Sequence, residues 1–235
     1  MILLHQFEIS PFCDKVRRIL HLKGQPYQVR NLNMWQTLRG VPGRLHPAGK
    51  LPVLEHRGRR LADSTEIAYY LERLFPDPPL IPTDEGQRAR VHFFEDWADE
   101  SLYFYELHLR LAVAHNARRW VPQLTKNDPF WLRWSAPFLA PRRIAGITRT
   151  QGVGRKSPQQ IQSDVQRHLQ ALETCLKAGD WLVGTYLSLA DIAVFVQISC
   201  IAQTVEGEAL LPDFPAVTAW MARVERDSAG GPAAP

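Results

Sequence analysis

The first half of the chain switches between two hydrophobic periods. Ile2, Leu3 and Leu4, running on to Phe7, form an apolar run of strand length. Ser10–Pro11 then starts a helix, with Ser at the cap and Pro at the first helical position. Phe12, Val16, Ile19, Leu20 and Lys23 keep helical spacing until Gly24 stops it. Tyr27 to Leu32 predicts a second strand, and the Gly- and Pro-rich stretch from Gly40 to Gly49 an irregular connection. Leu51 to Glu55 predicts a third strand, which Arg57–Gly58 turns into a short fourth at Arg60–Ala62, giving a hairpin. Asp63–Ser64–Thr65 opens a helix with Ile67, Ala68 and Leu71 on its inner face, ending at Phe75–Pro76.

From there the pattern is helical throughout. The prolines between Pro76 and Pro82 predict a stiff linker and a domain boundary. Asp84 to about Arg119 is amphipathic, as one long segment or two. Pro129 to Ile147 is a second helical region, expected to be interrupted at Pro137 and Pro141, and Gly152–Lys156 reads as a loop. Ser157–Pro158 starts a helix to Ala178, Ser188–Gln203 is apolar enough to be buried, and Phe214 to about Arg226 is the last helix. The expected organisation is an α/β domain at 1–76, a linker at 77–83, an all-α domain at 84–227 and a flexible tail at 228–235.

Composition narrows the class. With 45% hydrophobic and 22% charged residues the chain reads as a globular protein, not a disordered one. No apolar run approaches the roughly 18 residues of a membrane span, and no basic leader precedes Ile2, so no membrane role and a cytoplasmic location are expected. Cys13, Cys175 and Cys200 are too few and scattered for a disulfide framework, which suits a reducing compartment. The net charge of +4 raises the question of an anionic partner. Its basic clusters, Arg57–Arg60 and Arg142–Lys156, lack the aromatic interleaving of a nucleic-acid module, so no nucleic acid is expected. The histidines show no metal-ligand spacing, so no metal is expected either.

Candidate chemistry lies at three places. Ser10–Pro11–Phe12–Cys13 sits where a strand hands over to a helix, and the N–H groups and dipole of a helix start stabilise a thiolate there, with a hydroxyl able to add a hydrogen bond. Ser10 can equally be an ordinary cap. Leu51–Pro52, if cis, would turn the Leu51 N–H and C=O outward to pair with an extended peptide; an ordinary trans proline starting a strand is the alternative. Asp63–Ser64 opens a helix able to receive a carboxylate, or is a plain cap. On the helix after the linker, Trp97, Ser101, Tyr105 and His108 share one face, with Phe93, Phe104 and Leu107 on another.

Taken together, Ser10–Pro11–Phe12, Leu51–Pro52–Val53 and Asp63–Ser64 resemble the glutathione-binding domain of the soluble glutathione transferases, in that family's order and approximate spacing. Trp181–Gly184 followed by Ser188–Leu189–Ala190–Asp191 resembles the family's helical-domain capping motif. The resemblance implies a thioredoxin-like N-terminal domain (βαβ-ββα), an all-α C-terminal domain, glutathione as co-substrate and a homodimer. It likens Ser10 to the thiolate-stabilising serine of the tau, theta and zeta classes, and pairs Leu51 with the cysteinyl backbone. It gives Ser64 the γ-glutamyl carboxylate, puts Asp63 near the amine, and takes Phe12, Lys50 and Pro52 into the same site. The Trp97, Ser101, Tyr105 and His108 face falls where the family lines its pocket for a small hydrophobic electrophile. The implied activity is detoxifying glutathione transfer, with a glutathione-dependent isomerase, peroxidase or thiol oxidoreductase as sister activities. Cys13 is a possible redox residue only if it is an exposed thiol of low pKa. Gly152–Pro158 loosely resembles a segment of the failed-axon-connections and metaxin-like branch, which leaves a non-catalytic interaction protein as the alternative.

Overall fold

The computed structural model describes residues 1–230. Strand β1 (Ile2–Gln6) pairs in parallel with β2 (Tyr27–Asn31) across the helix α1 (Pro11–Leu22). Two short helices follow, α2 (Met34–Leu38) and α3 (Val41–Leu45), in and just before the stretch read as irregular. Asn33 and Gln36 close a reciprocal capping box on α2, a local signal that hydrophobic period alone does not carry. The hairpin β3 (Val53–His56) and β4 (Arg59–Ala62) pairs antiparallel onto β1, giving the sheet order β2-β1-β3-β4, and α4 (Ser64–Leu74) completes the unit. Leu4, Val16, Ile19, Leu54, Ile67 and Leu71 fill the space between sheet and helices, all fully buried.

The remainder is helical. One continuous run covers α5 (Glu85–Trp97), a π turn (Ala98–Leu102), α6 (Tyr103–Leu107) and a second π turn (His108–Ala112), before Val113 turns extended and breaks it. Then come α7 (Ala114–Leu124), α8 (Phe130–Gln151), α9 (Pro158–Leu176), α10 (Leu189–Ala202), α11 (Val205–Leu210) and α12 (Pro215–Ser228). Pro137 and Pro141 lie inside α8 without interrupting it, contrary to expectation. The carbonyls they leave without a helical donor, those of Arg133 and Pro137, sit on an exposed stretch of helix where water can reach them.

The centre of the helical part is α10, buried all round, with Leu189–Val196 among the least exposed residues of the chain. Its start is fixed by Asp191, whose carboxylate accepts from the Ser188 N–H and hydroxyl, the Leu182 N–H and the Trp220 indole. No single helix among the described residues is long and apolar enough to cross a membrane. The expected tail begins inside α12, which runs to Ser228, and residues 231–235 lie outside the described chain.

Candidate active site

Sheet register brings three separate segments to one end of the sheet. His5, near the end of β1, pairs with Val53 at the start of β3, and Val53 pairs with Ala62 at the end of β4. The chain leaving β1 toward Ser10, the chain entering β3 through Leu51–Pro52, and Asp63–Ser64 after β4 therefore share that end. The Leu51–Pro52 bond is cis. Leu51 precedes the first paired residue of β3, so the sheet does not use its backbone groups, and Lys50 before it is exposed.

Ser10 caps α1 by position, yet its hydroxyl takes no backbone N–H of the first helical turn and instead faces the Cys13 thiol. The Ser10 N–H donates to the Phe7 carbonyl at 3.0 Å, which closes the turn out of β1. Cys13 faces inward and accepts the Phe7 N–H at its sulfur. Burial pushes its thiol up to about 11, the opposite of the exposed, acidified thiol that redox chemistry needs. Cys13 is a packing and turn-supporting residue here, which corrects its candidacy as a redox group.

The opening of α4 carries a charge cluster that sequence reasoning missed. Asp63, at a positive φ of 78°, spends one carboxylate oxygen on the Thr65 and Glu66 N–H groups, an ordinary cap. Ser64 is buried, and its hydroxyl approaches Asp99 Oδ2 at 3.4 Å. Asp99 sits in the first π turn, where the wider coil displaces it from the regular α-helical face. Its carboxylate takes the ammonium of Lys15 at 2.5 Å, and Lys15 also donates to Glu95 at 2.8 Å. Lys15 comes from α1 and is fully buried, so it ties the sheet unit to the long helix. Burial lifts the Asp99 carboxyl to about 6, with Lys15 opposing and the Glu95 charge reinforcing the rise. Asp99 Oδ1 is buried and has no hydrogen-bond partner.

The apolar wall beside Ser10 is not the face expected from the 3.6-residue period. Phe12 packs tilted against Tyr103 with ring centroids 4.8 Å apart, and Tyr103 packs in the same way against Phe104. Phe7, Ile9 and Met34 pack with Tyr103, Phe104, Ala140 and Ile144 around a core of Leu107, Leu111 and Trp120. Trp97 and Tyr105 instead flank His168 of α9, and Tyr105 donates to Asp164 while accepting from Lys156. His108 bonds to Thr148 of α8, and Ser101 is half-buried in the π turn. Trp97 and Tyr105 thus share a face as the spacing predicts, but that face packs on His168 of α9, and the wall around Ser10 is built from Tyr103, Phe104 and Leu107 instead. Behind that wall Arg110, ion-paired to the buried Glu106 at 2.7 Å, donates to the Ile9 carbonyl and holds the residue before Ser10 in place.

Comparison with known proteins settles the family. The N-terminal domain model of glutathione S-transferases matches residues 4–79, and the C-terminal domain model matches residues 137–227. The chain belongs to the glutathione S-transferase superfamily. Its sheet unit and helical unit are those of the glutathione S-transferase fold. A glutathione S-transferase from Rhodospirillum rubrum superposes with a TM-score of 0.68 at 23% identity, covering 96% of this chain and 88% of its own. FtsZ-localized protein A of Caulobacter vibrioides is 26% identical over 226 residues, spanning 94% of this chain and 86% of that protein. Glutathione S-transferase 1 of Dianthus caryophyllus is 38% identical over 88 residues, but there the match spans only 37% of this chain and 40% of the relative. Residues 80–136, which include Asp99 and the first turns of α8, fall between the two matched domain spans.

Proposed function

We propose that this glutathione S-transferase family member binds glutathione at the end of its sheet and activates the thiol for attack on a hydrophobic electrophile. The observation that carries the reading is Ser10: a hydroxyl not used as a cap at a helix N-terminus, with the buried Cys13 thiol as its one neighbouring partner, beside the Phe7–Phe12–Tyr103 wall. A thiolate delivered there meets the positive end of α1 and one hydroxyl donor, and the anion is the form that attacks carbon. Leu51 offers its unpaired backbone to the cysteinyl residue as an added strand would. The γ-glutamyl end carries a carboxylate and an ammonium on one carbon. The start of α4 at Ser64 suits the carboxylate, and Asp99, with one oxygen unpartnered, suits the ammonium. Tyr103 is a neutral phenol at working pH, and burial raises it further, to about 12, so it adds no charge to the electrophile side.

Isomerase and peroxidase chemistry would use the same thiolate, and a homodimeric assembly belongs to the same reading. Calorimetric titration with glutathione tests it. One site per chain is expected, weakened by about 1–3 kcal/mol in Ser64→Ala through loss of a charged hydrogen bond. Absence of heat at millimolar glutathione would reject the reading. A second reading, a non-catalytic interaction protein, is favoured by one observation: the likeness to FtsZ-localized protein A runs along nearly the whole chain, whereas that to the Dianthus caryophyllus enzyme covers under half. A conjugation assay with glutathione and an aromatic halide separates the two, because an interaction protein on this fold can bind glutathione without turning it over.

A further inference from the structure

Helix α8 displays an aromatic strip to solvent. Phe130, Trp134 and Phe138 stand one turn apart and are 83, 74 and 59% exposed. Leu139 and Trp131 broaden the strip, and Trp131 meets Trp35 of α2 edge-on at 4.9 Å. The helix does not need these residues for its own packing, since Leu132, Ala136 and Thr148 are the ones it buries. Around the strip lie the exposed Arg133, Arg142 and Arg143, with Arg149 nearly two turns further on, and α8 contains no Asp or Glu. Pro137 and Pro141 add the two carbonyls that lack a helical donor. A contiguous apolar patch interleaved with arginine has the composition of a protein interface centre.

Charge decides what fits it. A second copy with its twofold axis through this face would oppose arginine to arginine with no acid of α8 between them. A bilayer suits a helix whose charges keep to one side; here Arg133 and Arg142 flank the aromatics, and the free carbonyls would go unsatisfied in hydrocarbon. A helical or extended segment bearing carboxylates beside apolar anchors satisfies everything present: bidentate pairs for the arginines, burial for Trp134 and Phe138, and N–H donors for the carbonyls. We propose that the Phe130–Arg143 face of α8 docks an acidic segment of another protein that carries apolar anchors about one helical turn apart. The inference does not rest on glutathione chemistry, because none of the glutathione-facing segments lies on this face.

The test uses the full chain and a fluorescent peptide of about 18 residues, with Leu and Phe at helical spacing flanked by Glu. A Glu→Lys copy of that peptide and phosphatidylglycerol vesicles are run beside it. Saturable binding of the acidic peptide is expected, with no binding of its Lys copy and affinity falling as salt rises from about 50 to 300 mM. Trp134→Ala and Arg142→Ala should each weaken it by about tenfold, with the thermal melt unchanged. Phe138→Ala is the second apolar variant should Trp134→Ala fold poorly. Several results overturn the proposal: no binding at millimolar peptide, equal affinity in the variants, vesicle binding lost in Trp134→Ala, or dissociation of a dimer by that substitution in light scattering.

Discussion

Ser10 and Cys13 are three residues apart on one helix start, and the fold assigns them opposite environments. The Ser10 hydroxyl is uncommitted to the cap, whereas the Cys13 thiol is fully buried and takes the Phe7 N–H. With an aromatic halide and glutathione, Ser10→Ala is expected to lower the rate about ten- to a thousand-fold, the effect of removing one donor from a developing anion. Cys13→Ser should stay within a few-fold in the same assay. A variant pair with the reverse ranking would move the chemistry to the thiol. Ser10 was legible in the sequence because strand, cap serine and helix are all local. Lys15 was not. A lysine on an amphipathic helix reads as solvent-facing, and only Glu95, eighty residues away, and Asp99 beyond it explain why this one is buried.

At the scale of elements, strands β1 to β4 and helices α1, α4, α9, α10 and α12 follow from period and punctuation, because all but β1, which its apolar run alone marks, have a cap, a proline or a glycine at a boundary. The long helix between Glu85 and Ala112 does not. Its π turns leave no mark that hydrophobic spacing can register, and which face meets Ser10 is set by tertiary packing: Tyr103, Phe104 and Leu107 lie there, while Trp97 and Tyr105 pack on His168. The Ser188–Asp191 cap is the contrasting case, read from sequence and found with two further donors from Leu182 and Trp220. Asp191→Ala should therefore cost more than the ~0.5–2 kcal/mol of an ordinary cap. It leaves the Leu182 N–H and the Trp220 indole buried without an acceptor, each worth about 1–3 kcal/mol. Urea unfolding followed by Trp fluorescence measures it; a loss no larger than an exposed cap's would show that water replaces the carboxylate.

At the scale of the whole molecule, the Asp99 carboxyl is expected to pull binding and stability in opposite directions as pH changes. Burial raises the folded Asp99 carboxyl from 3.8 to about 6. Between those values the folded chain holds a proton that the unfolded chain has released, so this group's contribution to stability declines as pH rises through the window. Its service to an ammonium requires the ionised form. Glutathione affinity is therefore expected to rise from pH 5 to 7.5, a range in which glutathione's own carboxylates, thiol and amine keep their charge states. A flat calorimetric profile across that range would remove Asp99 from the site. The segment between the two units illustrates a different property of the whole. Proline composition suggested a spacer, but the buried Lys23 holds the Pro78 carbonyl and Glu72 at 2.6 and 2.5 Å. Glu72 accepts the Leu80 and Ile81 N–H groups, and the Leu80 carbonyl takes the N–H of Leu189 in α10. The passage from sheet to helices is thus riveted on both sides. Severing the backbone at Asp77 would free two chain ends but leave these rivets, the Lys15 ion pairs and the shared core in place, so the nicked molecule should travel as one particle.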